Sequence, residues 1–171
     1  GVGEVSLLEL TASFAPFANG GAGVWAYGIE EISDAGGTLL YRRSGSGPGR
    51  VVAARDVAAM NDMLGFAVAD GTGRNAAIDR PQAGKTGTSQ NFRDAWFVGY
   101  TADLVTGVWM GNDNGAGMNN VTGGGAPAKL WRDVMASAHT GLAPRALPGL
   151  DDAPAPEKPS PGFWKSIFAK L

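Results

Sequence analysis

The chain contains no cysteine. Disulfides, zinc thiolate sites and cysteine nucleophiles are excluded together, whereas the compartment stays open, because cysteine-free chains suit cytoplasm and periplasm alike. Only one histidine is present, His139. With no cysteine and no carboxylate cluster beside it, it offers no metal centre and reads as a surface residue following a helix. No apolar run approaches the roughly 20 residues needed to cross a bilayer. Charge of neither sign dominates: 14 Lys and Arg stand against 16 Asp and Glu. A polyanion would find no basic face, so nucleic acid is not an expected partner. No cofactor motif stands out, and none is expected. The asparagines at 112, 114, 119 and 120, with Asp113, lack the spacing of a calcium loop and read as turn chemistry.

What remains is an ordinary globular composition, 44% apolar over 171 residues, with a high glycine count of 27. The length suits one domain with a real core. The start at Gly1-Val2-Gly3 reads as the interior of a longer protein.

Ser6 and Glu9 have the capping-box spacing, and Leu7, Leu10, Phe14 and Phe17 follow at helical intervals. Pro16 is expected to kink the last turn before Gly20-Gly21 ends the helix. Trp25 to Leu40, with Asp34-Ala35-Gly36-Gly37 inside it, predicts an exposed hairpin, and Arg42 to Arg50 a loop. A second helix is predicted over 55–69, with Val57, Met60, Leu64 and Val68 on one face. Three strands should follow. Ala83 to Ser89 is the first; Trp96 to Tyr100 and Val105 to Met110 are strongly β-prone and should pair antiparallel across their short connection. The strand over 96–100 is apolar on both faces, so the sheet needs cover on both sides. After a Gly- and Asn-rich loop over 111–125, Pro127 opens a third helix whose predicted stripe is Leu130, Trp131, Val134 and Met135. Past Gly141 the composition changes: six of the ten prolines lie between Pro144 and Pro161. That divides the chain into a domain over 1–143 and an extended tail over 144–171, whose end can form a short amphipathic face of Phe163, Trp164, Ile167, Phe168 and Leu171.

The informative stretch is Gly84-Lys85-Thr86-Gly87-Thr88-Ser89. Its first three residues match the end of a phosphate-binding loop. That loop requires glycine where Asp79 stands, and it must open a helix where Thr-Gly-Thr-Ser is poor helix sequence. A Lys-Thr-Gly strand fits better. With Asp94-Ala95-Trp96-Phe97-Val98-Gly99-Tyr100, Val108-Trp109-Met110-Gly111-Asn112-Asp113, Phe17-Ala18-Asn19-Gly20-Gly21 and Asp70-Gly71-Thr72-Gly73-Arg74, it closely resembles the transpeptidase domain of the class A, bifunctional penicillin-binding proteins. The resemblance covers roughly residues 4–138.

It implies an α+β fold, with an antiparallel sheet packed between helices and incomplete in this chain. It implies a serine-type D,D-transpeptidase that cross-links peptidoglycan stem peptides and binds β-lactams outside the inner membrane. Lys85, Thr86, Gly87 and Thr88 carry over as substrate-binding residues, with Lys85 and Thr88 also in the catalytic set. Strand alternation puts Thr86 and Thr88 on one face, where their hydroxyls can receive a terminal carboxylate. The resemblance makes the Thr88 amide an oxyanion donor and sends Lys85 toward the second-motif serine. Gly87 leaves room for a peptide. Asp94 is expected to hold the start of its strand by hydrogen bonds or a salt bridge, and Trp96 to be mainly core. No Ser-x-x-Lys occurs, and the lone Ser-x-Asn, Ser89-Gln90-Asn91, is on the wrong side of the strand. The nucleophile is therefore expected upstream of Gly1, and the missing half of the domain is the expected partner. Water as acceptor would instead make a carboxypeptidase or β-lactamase. A different class, a non-catalytic module whose tail docks on a membrane or partner, remains the other reading.

Overall fold

The computed structural model describes residues 3–45 and 47–150. Helix α1 (Leu7–Ala18) starts where the capping box predicts. The Glu9 N–H donates to Ser6 Oγ at 3.2 Å, and the Ser6 N–H donates back to a Glu9 carboxylate oxygen at 3.0 Å. The Ser6 hydroxyl first, and its backbone N–H second, hold the Glu9 carboxyl below its usual range. The helix runs through Pro16 and gives way to Gly20 and Gly21 at φ +79° and +99°, a region that glycine enters without steric cost.

A small hairpin follows, β1 (Glu31–Ser33) against β2 (Leu39–Arg42). Every residue in both strands is exposed. Its Arg42–Glu31 ion pair, 2.7 Å long, lies in solvent and contributes under about 1 kcal/mol. Helix α2 (Ala54–Ala69) then leads into the main sheet, β3 (Ala83–Thr88), β4 (Asp94–Tyr100) and β5 (Val105–Gly111), antiparallel in the order β3-β4-β5. Helix α3 (Ala126–Ala138) carries Pro127 in its first turn. The outer edges of the sheet are β3 and β5, and neither has a further strand beside it among the described residues.

The two faces of this sheet are covered differently. On one, Phe97 and Val108 meet Trp131, Met135 and Ala128 of α3, with Val68 of α2 and Ala76. On the other, Tyr100 and Ala83 meet α1 and the Leu64 side of α2. Helices α3 and α1 each approach over a glycine. A side chain at Gly99 would strike the Trp131 ring at 2.9 Å, and one at Gly107 would strike the Thr11 hydroxyl. The predicted α3 stripe is corrected in part: Trp131 and Met135 are fully buried, whereas Leu130 and Val134 are 45% and 43% exposed. The contacting face is Ala128-Trp131-Met135, spaced three and four residues apart, which leaves Leu130 and Val134 turned away from the sheet.

His139, read as a surface residue, is instead 2% exposed. Its ring bridges the Met135 carbonyl at 2.7 Å and the Thr101 hydroxyl at 2.8 Å, joining the end of α3 to the β4–β5 turn. Residues 144–150, read as the start of the linker, lie against the domain. Leu147 is 2% exposed in the α1–α2 cluster, and Arg145 pairs with Asp103 at 2.7 Å. Buried Asn61 ties this segment down. Its amide donates to the Phe17 and Pro148 carbonyls at 3.1 and 2.9 Å, and its carbonyl accepts from the Tyr100 hydroxyl at 2.6 Å. The predicted amphipathic end, Phe163 to Leu171, lies outside the described residues.

Candidate active site

Among the described residues, strand β3 is paired on one side only. Its register with β4 matches Lys85 to Val98, Thr86 to Phe97, Gly87 to Trp96 and Thr88 to Ala95. Just beyond the strand end, Ser89 N–H donates to the Asp94 carbonyl at 2.9 Å, in the same register. Hydrogen-bonded pairs alternate along an antiparallel ladder. Gly87–Trp96 and Lys85–Val98 are therefore the bonded pairs, and the main-chain groups of Thr86 and Thr88 point away from β4, out of the open edge. The Lys85 ammonium confirms the direction: it lies at that edge and donates to the Thr86 carbonyl at 2.9 Å.

The side chains alternate as predicted. Lys85 and Gly87 share the face of Val98 and Trp96, where a cleft of about 550 Å³ opens between the strand and α1, bounded also by Glu4, Leu10 and Phe14. Thr86 and Thr88 put their side chains on the opposite face, and Thr86 also borders the cleft. Their hydroxyls already have partners: Thr86 Oγ1 is 2.7 Å from Thr72 Oγ1, and Thr88 Oγ1 accepts the Gly123 N–H at 3.0 Å. The four residues singled out by the motif thus form one continuous piece of edge, with an ammonium, two hydroxyls and two outward amides, all able to donate.

The turn that aligns this edge is held by Asp94. Its N–H donates to Ser89 Oγ at 2.8 Å, the Ser89 hydroxyl donates to one carboxylate oxygen at 2.9 Å, and the Trp109 indole donates to the other at 3.0 Å. Asp94 therefore works through hydrogen bonds. Trp96 is half-buried and lines the cleft, with its ring 6.2 Å from that of Trp109, so it is less a core residue than its composition suggested. Two participants were not singled out in the sequence, Thr72 and Gly123. Each is close to β3 only through the fold, 14 and 35 residues from its hydroxyl partner. The available signals were the Asp70–Arg74 segment, which carries part of the family resemblance, and the run Gly123-Gly124-Gly125, since glycine marks close backbone approach.

An antiparallel sheet with helices on both faces and a donor-lined edge strand defines the class, an α+β domain open along one strand. Solved structures share it. Penicillin-binding protein 1A of Haemophilus influenzae superposes with a TM-score of 0.74 at 23% identity, over 84% of this chain and 28% of that one. The penicillin-binding protein PonA1 of Mycobacterium tuberculosis superposes at 0.70 and 25% identity, over 89% and 44%. Residues 1–136 match the family model of the penicillin binding protein transpeptidase domain. The chain belongs to that family. It is 37% identical to penicillin-binding protein 1A of Aquifex aeolicus over 79% of its own length and 19% of that protein's. To the protein of the same name in Neisseria lactamica it is 36% identical, over 82% and 18%. The chain spans about a fifth of the length of these relatives.

Proposed function

We propose that the chain is the C-terminal part of the transpeptidase domain of a peptidoglycan D,D-transpeptidase, and that it contributes the substrate-binding edge to a serine supplied from upstream sequence. In the reaction, that serine attacks the penultimate D-Ala carbonyl, D-Ala leaves, and an amine of a neighbouring stem peptide takes the acyl group. The Thr88 amide is one of the oxyanion donors. A single such donor is worth about 3–4 kcal/mol in the transition state. Thr86 and Thr88 hydroxyls receive the substrate's terminal carboxylate, which can only accept. Lys85 adds positive charge beside the nucleophile and reaches the second-motif serine, and Gly87 lets the peptide lie along the strand. β-Lactams enter the same site as acylating mimics; a related structure from M. tuberculosis is an imipenem acyl-enzyme complex. The work belongs outside the cytoplasmic membrane, where peptidoglycan is cross-linked, with the protein anchored in that membrane.

The observation carrying this reading is the outer side of Thr86–Thr88, unpaired among the described residues, with amides turned out of the sheet beside Lys85. Labelling with a fluorescent penicillin tests it. The complete protein should form a covalent adduct, Lys85→Ala should slow its formation at least about 100-fold, and the isolated chain should form none, since it has no Ser-x-x-Lys. An unlabelled complete protein, or a labelled isolated chain, overturns the reading.

A further inference from the structure

We propose that Thr72 is a positioning residue for carboxylate recognition, acting with the Gly123 amide to present the Thr86 and Thr88 hydroxyls as hydrogen-bond donors. The inference rests on the function proposed above and adds to it residues outside the Lys-Thr-Gly strand. A threonine hydroxyl has one proton and two lone pairs. If that proton is spent on an internal acceptor, the hydroxyl meets an anion with a lone pair and repels it. A site for a carboxylate therefore needs something behind each hydroxyl that donates to it.

That is the arrangement observed. The Gly123 N–H donates to Thr88 Oγ1, which occupies a lone pair and leaves the Thr88 proton free. Thr72 and Thr86 share one hydrogen bond of 2.7 Å, in which either can donate. With an anion at Thr86, only one direction serves both contacts: Thr72 donates to Thr86 and Thr86 donates to the ligand. Two hydroxyls aligned in this way polarise one another and strengthen the outer bond.

The supporting loops are built for this approach. Thr72 lies in the turn after α2, fixed by the Gly73 N–H on the Ala67 carbonyl at 2.9 Å. A side chain at Gly123 would collide with the main chain of Trp96 and Gly87, and one at Gly124 with the Thr72 carbonyl. Asn75 closes the assembly by donating its amide to the Gly124 carbonyl at 2.6 Å. Only glycines let this loop come close enough to reach Thr88.

The test uses the complete protein and two acylating ligands, benzylpenicillin and its methyl ester, which lacks the anion. Thr72→Val keeps the branched shape and removes the hydroxyl. It should lower the acylation rate constant for benzylpenicillin about 5–10-fold, the upper part of the range for a neutral hydrogen bond, and leave that for the ester within about twofold. Thr72→Ser should restore the benzylpenicillin rate to within about threefold. Equal losses with both ligands, no loss with either, or no recovery in Thr72→Ser overturns the inference alone. An unmutated protein that neither ligand acylates overturns the functional reading and this inference with it.

Discussion

The two faces of the β3–β4–β5 sheet divide the protein's work, and two tryptophans mark the division. Trp131, on the α3 side, is fully buried against Phe97, with ring centroids 5.3 Å apart, and its indole N–H reaches the Gly99 and Thr106 carbonyls at 3.2 and 3.1 Å. Trp109, on the other side, is 39% exposed and bonds a carboxylate that organises a turn. The same residue type serves packing on one face and the alignment of an open edge on the other. A sheet closed on one side is a rigid base from which the edge can present groups to a ligand, Lys85 toward the cleft and the Thr86 and Thr88 hydroxyls toward the α3 face.

The sharpest way to break this comparison is to remove the anchor of the closed face. Trp131→Ala deletes a fully buried aromatic side chain from a core it shares with Val68, Ala76, Phe97 and Met135. The expected loss is about 3–5 kcal/mol, read as a fall in the urea midpoint with little change in slope. A loss near 1 kcal/mol would mean that the α3 face is not the rigid base.

The next effect concerns Tyr100, at the boundary between the core and the α1 face. Burial pushes its phenol well above the usual value of about 10. The unfolded chain then loses this proton first as pH rises. The stability tied to the protonated phenol is present in full below about pH 10 and falls above it by about 1.4 kcal/mol per pH unit, until the folded phenol ionises. Tyr100→Phe should cost about 1–3 kcal/mol at neutral pH, because the Asn61 carbonyl is left without its donor. It should also flatten the alkaline limb of a stability–pH profile. An unchanged limb would show that Tyr100 ionises freely and that this corner of the core is wet.

Much of this division was legible in the residues. Ser6 and Glu9 located α1, the β-prone runs located the sheet, and the apolar residues on both faces of the strand over 96–100 showed that both faces needed cover. Lys85 to Thr88 marked the edge, since the motif and its flanks are contiguous in sequence. What periodicity could not supply was which neighbour covers which side chain. Leu130 and Val134 are as apolar as Met135, yet they face outward, because the α3 contact is set by Trp131 settling over Gly99. His139 is buried by a threonine 38 residues away. Leu147, inside a proline-rich stretch, is buried beside Pro148, whose carbonyl is held by an asparagine on α2 that looked like an ordinary helix residue. Thr72 and Gly123 were missed at the site for the same reason: their roles exist only after the turn following α2 and the 111–125 loop fold back onto β3.

The smallest expected effect sharpens the comparison from the open side. Trp109→Ala removes an aromatic neighbour from Trp96, an arrangement worth about 0.5–1.5 kcal/mol beyond burial, and one hydrogen bond to Asp94 that water can replace. Asp94 keeps its bonds to Ser89, so the turn that aligns β3 with β4 survives. The expected loss is about 1 kcal/mol, measured in the same urea titration as Trp131→Ala. Should the two tryptophans prove equal, burial would not be what separates the faces, and the open edge would owe its order to the aromatic pair on its own side.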